Sequence, residues 1–398
     1  MHKPKSRKRI CIIFIVFMVF VLICGTVIQI KTNNQKCEER MQAIRQALEQ
    51  EKKWILKNQG EDGVIYMNGA LAGDVNPYFS CQAALGLLAK CSDKEEIQEK
   101  EIAERELEIQ SVLKYLNWHS EQLLETNGSM GIYRKMGDKP QIVAEADSVD
   151  AYLGVYLELL GEYLMTTGSA KGLLWWTEAS ALAIRRLEEL MHDGLTRVST
   201  ENDTKYLMDN LEVWRGLTVW EKCMRSYENM GISSSQQDRA VAMRKLLEKK
   251  IPEIFWDKEN SRWRVMAGDT EIKKDVFYPD GVAQIYPLIV GFPIKNLRIQ
   301  KRLYRDFTES FQWQELIEED TNFIWSMVGM SAAEVGDDEG LYRFLKSYER
   351  AVSISRKYPL YTGEAGWICR EYERAYKNYE KRILCLRIFH SYDKKKNK

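Results

Sequence analysis

The sequence predicts an all-α protein, twelve helices paired into six hairpins and closed into a double ring, an (α/α)6 toroid, behind an N-terminal transmembrane helix. Three observations lead there. Helical segments of two kinds alternate along the chain, one amphipathic and one apolar nearly all round. The connections alternate as well, brief in one direction and long in the other. A run of uncharged, mostly aliphatic and aromatic residues near the N-terminus stands apart from both kinds.

That run comes first. Lys3, Lys5, Arg7, Lys8 and Arg9 precede residues 10–28, about 19 uncharged positions, which is long enough for a helix to cross a bilayer. The basic cluster belongs on the cytoplasmic side and sends the remainder outside. A cleaved signal peptide is the rival reading. Its apolar core is normally shorter and ends at a small-residue site, which is missing here. The expected layout is a cytoplasmic segment over 1–9, a signal anchor over 10–30 and a polar tether over 31–37. A helical domain over 38–380 and a basic tail over 381–398 follow, both extracytoplasmic.

Within the domain, the amphipathic segments are 38–57, 101–118, 173–191, 235–250, 294–307 and 338–352. The first carries Met41, Ile44, Leu48 and Ile55 on one stripe; the second carries Ile102, Ile109, Leu113 and Leu116. The segments apolar nearly all round are 77–89, 147–165, 281–291 and 321–335. Segments 209–224 and 364–376 hold the matching places and are more polar towards their ends. The clearest is 147–165, where only Glu158 and Glu162 interrupt the apolar run. A helix greasy on every side must be surrounded by protein or lipid, and two internal carboxylates favour protein. Buried helices forming an inner ring and amphipathic ones an outer ring is the economical packing.

Passing from an outer to an inner helix takes a long loop: 58–76, 119–146, 192–208 and 255–279, with shorter ones at 312–320 and 356–363. Long loops in a compact domain are uncommon unless they serve a purpose. Asp62-Gly-Val-Ile-Tyr66, Gly131-Ile-Tyr133, Asp193-Gly-Leu-Thr-Arg-Val198 and Arg262-Trp-Arg-Val265 predict small strands on this rim. Nearly every loop delivers a polar residue to the next inner helix. These are Asp74 and Asn76, Asp147 and Asp150, Asp209, Asp280, Asp320 with Asn322, and Glu364. Capping preference alone accounts for Asp or Asn at such places. In an inner ring, however, all six N-termini meet at one mouth. Tyr78, Tyr152, Trp214, Tyr278 and Trp367 lie close by in sequence, and aromatic faces beside carboxylates suit sugar rings.

With these features the chain resembles the six-hairpin glycosidase superfamily, which includes the family 8 endoglucanase-type enzymes and the unsaturated glucuronyl hydrolases. The resemblance spans roughly residues 40–378. It is carried by the hairpin count, Asp62-Gly-Val-Ile-Tyr66 with Asn76-Pro-Tyr-Phe79, Asp147-Ser-Val-Asp150-Ala-Tyr152, Asp209-Asn210 and Phe277-Tyr-Pro-Asp280. The family 8 enzymes carry Asp-Ala-Asp at a comparable inner-helix start, which Asp147 and Asp150 echo at a different spacing. They place a general-acid Glu within Ser-Glu-Gly at the first inner helix, where this chain has Gly73-Asp74-Val75-Asn76. The resemblance implies a polysaccharide or oligosaccharide substrate and no cofactor.

Glycoside hydrolysis needs one protonated and one ionised carboxyl, ~6.5–9.5 Å apart for inversion. Packed helix axes lie ~8–10 Å apart, so Asp147 and Asp209 on consecutive inner helices are the leading pair, and inversion is the expected outcome. Asp209 is expected as general base, with Asp147 or Asp150 as proton donor. Burial favours a raised pKa at Asp150, whereas the helix dipole opposes it. Glu212, one turn below Asp209, reads equally as an ion-pair partner for Arg215. Expected substrate contacts are Asp74, Asn76, Tyr78, Tyr152, Trp214, Tyr278, Asp280, Glu364 and Trp367.

Other classes fit less well. A net charge of zero with scattered basic residues gives no footprint for nucleic acid. Four histidines and no CxxC pair leave nothing for zinc, so no metal is expected. The alternative function is a non-catalytic glycan-binding or scaffold protein of a polysaccharide-export or cell-wall system.

Overall fold

The structure, a computed structural model, describes residues 5–68, 73–91, 99–136, 139–226, 234–294, 296–315, 323–356 and 360–396. For 5–31, Met18 apart, and for 384–396 it describes the backbone only. The chain divides into two units, Met1–Gln46 with Tyr376–Lys398, and Ala47–Ala375.

The second unit carries the predicted alternation. Helices α2 (Pro77–Leu88), α4 (Val149–Thr167), α6 (Leu207–Ser226), α8 (Val282–Ile289) and α10 (Val328–Val335), with the first turns of α12 (Thr362–Lys396), form the inner ring. Helices α3 (Glu99–Glu125), α5 (Trp176–Leu190), α7 (Ser234–Phe255), α9 (Leu297–Ser310) and α11 (Asp338–Tyr348) form the outer ring with the end of α1 (Lys5–Lys57). Burial explains the sorting. In α4, 14 of the 19 residues are buried, whereas α9 buries Leu303, Tyr304 and Phe307 alone.

Close approach between inner helices depends on glycine. A Cβ on Gly216 of α6 would stand 2.0 Å from the Gly154 carbonyl oxygen of α4. One on Gly366 of α12 would stand 2.1 Å from the Gln82 carbonyl oxygen of α2, which closes the ring. Outer neighbours are tied by polar contacts. Lys52 of α1 donates to Glu108 of α3 at 2.8 Å, and Tyr348 of α11 donates to Glu51 of α1 at 2.9 Å.

Short strands decorate the long-loop side. They are a three-stranded antiparallel sheet of β1 (Asp74–Val75), β2 (Gly131–Met136) and β3 (Lys139–Glu145), and the hairpins β4 (Met191–His192) with β5 (Leu195–Thr196) and β6 (Trp256–Asp257) with β7 (Arg262–Trp263). The β4–β5 turn places Asp193 at φ 54° and Gly194 at φ 84°, the left-handed pair of a tight hairpin. The segment 62–66 forms a single bridge between Gln59 and Ile65.

Four element boundaries differ from expectation. The inner helix expected over 321–335 starts at Val328, because Trp325 sits at φ 56° and breaks the helical path; Asp320 and Asn322 lie outside the described residues. The helix expected over 281–291 is shorter and follows a turn over Phe277–Gly281. In the first unit, α1 runs through 31–37 without the expected tether, since no Gly or Pro there interrupts the backbone ladder. Similarly, α12 continues to Lys396 through most of the expected tail. Arg40 and Arg45 donate to the Tyr379 and Tyr376 hydroxyls at 2.8 and 2.9 Å. Among the described residues no helix is long and apolar enough to cross a membrane. The segment read as an anchor, 10–30, lies outside the residues whose side chains are described, apart from Met18.

Candidate active site

The starts of α4 and α6 are brought together. At α4, the Val149 N–H donates to the Val198 carbonyl at 2.9 Å, fixing the helix start against the β4–β5 hairpin. That hairpin is itself clamped to α6: the Thr196 N–H donates to Asn210 Oδ1 at 2.8 Å, and Asn210 Nδ2 donates back to the Thr196 carbonyl at 3.0 Å. This brings Thr196 Oγ1 to Asp150 Oδ2 at 2.7 Å. Asp150 Oδ1 accepts from the Ala151 N–H at 3.0 Å and stands 2.9 Å from Ser148 Oγ. The same Oγ stands 2.5 Å from Asp209 Oδ2, in the first turn of α6.

Proton counting assigns the charges. Ser148 has one hydroxyl proton and two carboxyls to satisfy. Asp150 already receives two donors, so it is the better carboxylate and takes the Ser148 proton. Asp209 must then bring its own proton and donate it to Ser148 Oγ. Electrostatics agree in direction. Burial raises the Asp150 carboxyl to about 6, against the lowering bonds from Thr196 and Ser148. Burial, then the charges of Asp150 and Glu212, push Asp209 well above the carboxylate range. Desolvation therefore outweighs the helix dipole here. Exposure separates the two acids: Asp150 is 0 % exposed, whereas Asp209 keeps partial solvent access and Asp147 is exposed on the rim.

One turn along α6, Glu212 Oε1 accepts from the Tyr78 hydroxyl at 2.6 Å and the Tyr286 hydroxyl at 2.5 Å. Both donors fall on one oxygen, which leaves the other to hold a proton. Burial lifts this carboxyl to about 8. Glu212 is only half-legible in the sequence, and Arg215 is not its partner. Arg215 binds Glu158 at 3.0 Å and Glu162 at 3.4 Å instead. Arg370 of α12 also reaches Glu158, at 2.9 Å. Burial opposes ionisation of Glu158, but the Arg370 and Arg215 charges win and hold its carboxyl below the usual range. This cluster neutralises the two acids that interrupt α4 and ties α4, α6 and α12 together in the core.

An aromatic belt borders the acids. Tyr278 packs on Trp325 at 4.2 Å, Trp325 meets Phe323 at 5.6 Å, and Phe323 stacks on Phe79 at 5.7 Å. Tyr78 follows at 5.4 Å from Phe79 and 5.9 Å from Tyr152. Tyr278 is exposed, and burial together with Asp209, Glu212 and Asp147 raises its hydroxyl to about 12, which places those acids around it. The Tyr152 hydroxyl lies beside Asp147 and Asn76, yet it closes a hydrogen bond with neither. Ser148, Thr196, Tyr286, Phe323 and Trp325 join the site without a signal in the sequence. The Asp209-x-x-Glu212 spacing, which repeats Asp147-x-x-Asp150, is the signal available for Glu212.

Several expected contacts are engaged elsewhere. Asp74 is held by Arg134 of β2 through two bonds of 2.5 and 2.9 Å. Asn76 caps α2, accepting from the Tyr78 N–H at 3.0 Å. Asp280 Oδ1 accepts from the Lys273 N–H at 2.9 Å and closes its own loop. Glu364 is buried and accepts from the Ser326 N–H at 2.7 Å and from the Ser326 hydroxyl. Trp214 is 5 % exposed and packs on Phe292 at 4.9 Å. Trp367 is 4 % exposed with Arg370 over its ring at 4.2 Å. Neither tryptophan offers a free face, since both point into the packed ring. Among the described residues no His, Cys, Asp and Glu group is placed to hold a metal ion.

Comparison with solved structures matches this ring of hairpins to carbohydrate-active proteins. One, described as a glycosidase, superposes with a TM-score of 0.50 at 11 % identity, covering 86 % of this chain and 98 % of its own. Another, described as a novel alpha-amylase from Clostridium perfringens, gives 0.51 at 12 % identity, covering 81 % and 97 %. The fold is the helical toroid that these two structures share. No protein-family model matches the chain, and no curated protein matches it. Within this toroid the buried acids fall at the starts of two consecutive inner helices, α4 and α6, and the aromatic belt borders the same mouth.

Proposed function

We propose that the protein is a glycoside hydrolase in which Asp209 is the general acid and Asp147 the general base of an inverting reaction. Asp209 carries the proton to the glycosidic oxygen as the bond to the anomeric carbon breaks. Asp147 takes a proton from the water that attacks that carbon from the opposite face, so the proton lost from Asp209 is returned through solvent. The observation that carries the reading is the Ser148 bridge, which demands one protonated carboxyl and leaves it on the acid with solvent access. This reverses the roles expected from sequence, because Asp209 gives up its proton rather than taking one. Asp150 is fully buried and is assigned as a positioning residue that keeps Asp209 protonated. Tyr278 and Trp325 provide the stacking wall.

The substrate assigned is a surface or extracellular polysaccharide, and residues 10–30 are assigned as a membrane anchor holding the toroid outside the cell. The basic cluster before residue 10 supports that orientation. Protease added to intact cells is expected to clip the toroid; protection until lysis contradicts the topology. For the chemistry, reducing-end release is measured from soluble starch and from polysaccharide extracted from the producing cells. Asp209→Asn is expected to lose at least ~100-fold in rate with unchanged helical circular dichroism and Tm. Wild-type turnover in that variant rejects the assignment.

A second reading, a glycan-binding scaffold without turnover, is favoured by one observation. At the first inner helix, where family 8 enzymes carry their acid, Asp74 is neutralised by Arg134. Saturable binding of the extracted polysaccharide by a wild-type protein that releases no reducing ends selects it.

A further inference from the structure

Outside the mouth, a cleft of about 680 Å³ opens on the flank between α7 and α9, within the size range of small-ligand sites. Its lining includes Lys245, Lys249, Trp256, Trp263 and Phe292, and none of its residues belongs to the acid cluster or the aromatic belt. Trp256 and Trp263 meet edge to face at 4.9 Å and 68°. Trp263 is fixed in advance. Its N–H donates to Gln284 Oε1 and its carbonyl accepts from Gln284 Nε2, both at 2.9 Å. Phe292 is fixed against Trp214 at 4.9 Å. The aromatic surface is thus preorganised.

One feature of the cleft calls for an anionic partner. On the rim, Lys245 and Lys249 stand one helical turn apart and both are exposed; among the described residues neither is in an ion pair, and the Lys249 charge reaches Glu253, which is held by Lys250. The other charges at the cleft are already matched, Arg244 binding Glu221 at 2.5 Å and Glu248 as well.

We propose that this cleft is a second saccharide site, which stacks a sugar ring on the half-exposed Trp256 and holds a carboxylate-bearing unit on Lys245 and Lys249. A fatty acid would lie along the apolar wall and bring its carboxylate to the lysines as well. A uronate offers a rigid ring face for Trp256 and a carboxylate for the lysines. The choice of a carbohydrate rests on the reading of the mouth, but the site itself does not require that mouth to be catalytic. Its role is to hold one stretch of an anionic glycan on the flank.

The test is calorimetric titration of the full chain with trigalacturonate and with maltotriose. Wild type and Asp209→Asn are expected to bind trigalacturonate equally. Trp256→Ala and the double variant Lys245→Ala/Lys249→Ala are each expected to bind at least tenfold more weakly, with circular dichroism showing both folded. Affinity is expected to fall with added salt. Four results overturn the proposal: no binding at millimolar trigalacturonate, undiminished binding by the lysine variant, equal affinity for maltotriose, or loss of binding in Asp209→Asn. Saturable binding of decanoate with none of trigalacturonate assigns the cleft to an acyl chain instead. Failure of Asp209→Asn to abolish hydrolysis leaves these outcomes unchanged, so the two readings fail separately.

Discussion

A single serine hydroxyl sets the charge state of the mouth. Ser148 lies between Asp150 and Asp209 and can satisfy only one of them as a donor, so the pair holds a proton at neutral pH. Glu212 adds a second retained proton, and this has a measurable consequence for stability. Its native carboxyl is raised from 4.5 to about 8, so the folded state binds that proton more tightly than the unfolded chain does. The stabilisation is complete below pH 4.5 and is lost as pH rises towards 8. Asp150, raised from 3.8 to about 6, contributes with the same sign over a lower window. Tm is therefore expected to fall between pH 4.5 and 8. Glu212→Gln keeps an oxygen for Tyr78 and Tyr286 and has nothing to ionise. It should flatten this slope and raise Tm at about pH 8 by about 2 °C or more. A pH slope identical to wild type in thermal melts would show that Glu212 is ionised at no such cost. The spacing of Asp147, Asp150, Asp209 and Glu212 is legible in the sequence. Which of them keeps a proton is not, because that depends on Thr196, Ser148 and two tyrosines brought in from other elements.

Helices α4 and α6 approach at backbone distance, and they carry the acids between them. Gly216 leaves no room for a side chain, since an added Cβ would meet the Gly154 carbonyl oxygen at 2.0 Å and backbone cannot yield as a flexible side chain does. Gly216→Ala is expected to destabilise by about 2 kcal/mol or more, although alanine is the better helix former. An unchanged urea midpoint would mean that the helices are not held at this distance. Periodicity is reliable for elements of this kind, because an all-round apolar helix has few alternatives to an inner position. It is less reliable where tertiary contacts override local preference. Residues 323–327 are apolar enough for a helix, yet Trp325 takes a left-handed backbone and Ser326 is held by Glu364 of another helix. Trp214 and Trp367 mislead for a related reason. Nearness in sequence to a helix start does not fix which way a side chain turns, and both turn into the packed ring.

For the whole molecule, the alternation of helix types and the asymmetry of the loops make the toroid legible, and solved structures at 11 and 12 % identity share it. Sequence identity at that level carries the fold and leaves the chemistry to the residues at the mouth. Here the mouth joins a fully buried acid, a partly exposed acid and an aromatic belt, while the Glu158–Arg215–Arg370 cluster sits in the core of the ring. The proposed activity depends on one feature of this arrangement above the others, that Asp209 holds a proton at the pH where it works. Infrared difference spectroscopy of wild type against Asp209→Asn at about pH 7 reads that proton directly. The expected difference spectrum loses the carbonyl band of a protonated carboxylic acid. Loss of carboxylate bands alone, with no protonated-acid band removed, would show Asp209 to be ionised and would contradict its assignment as general acid.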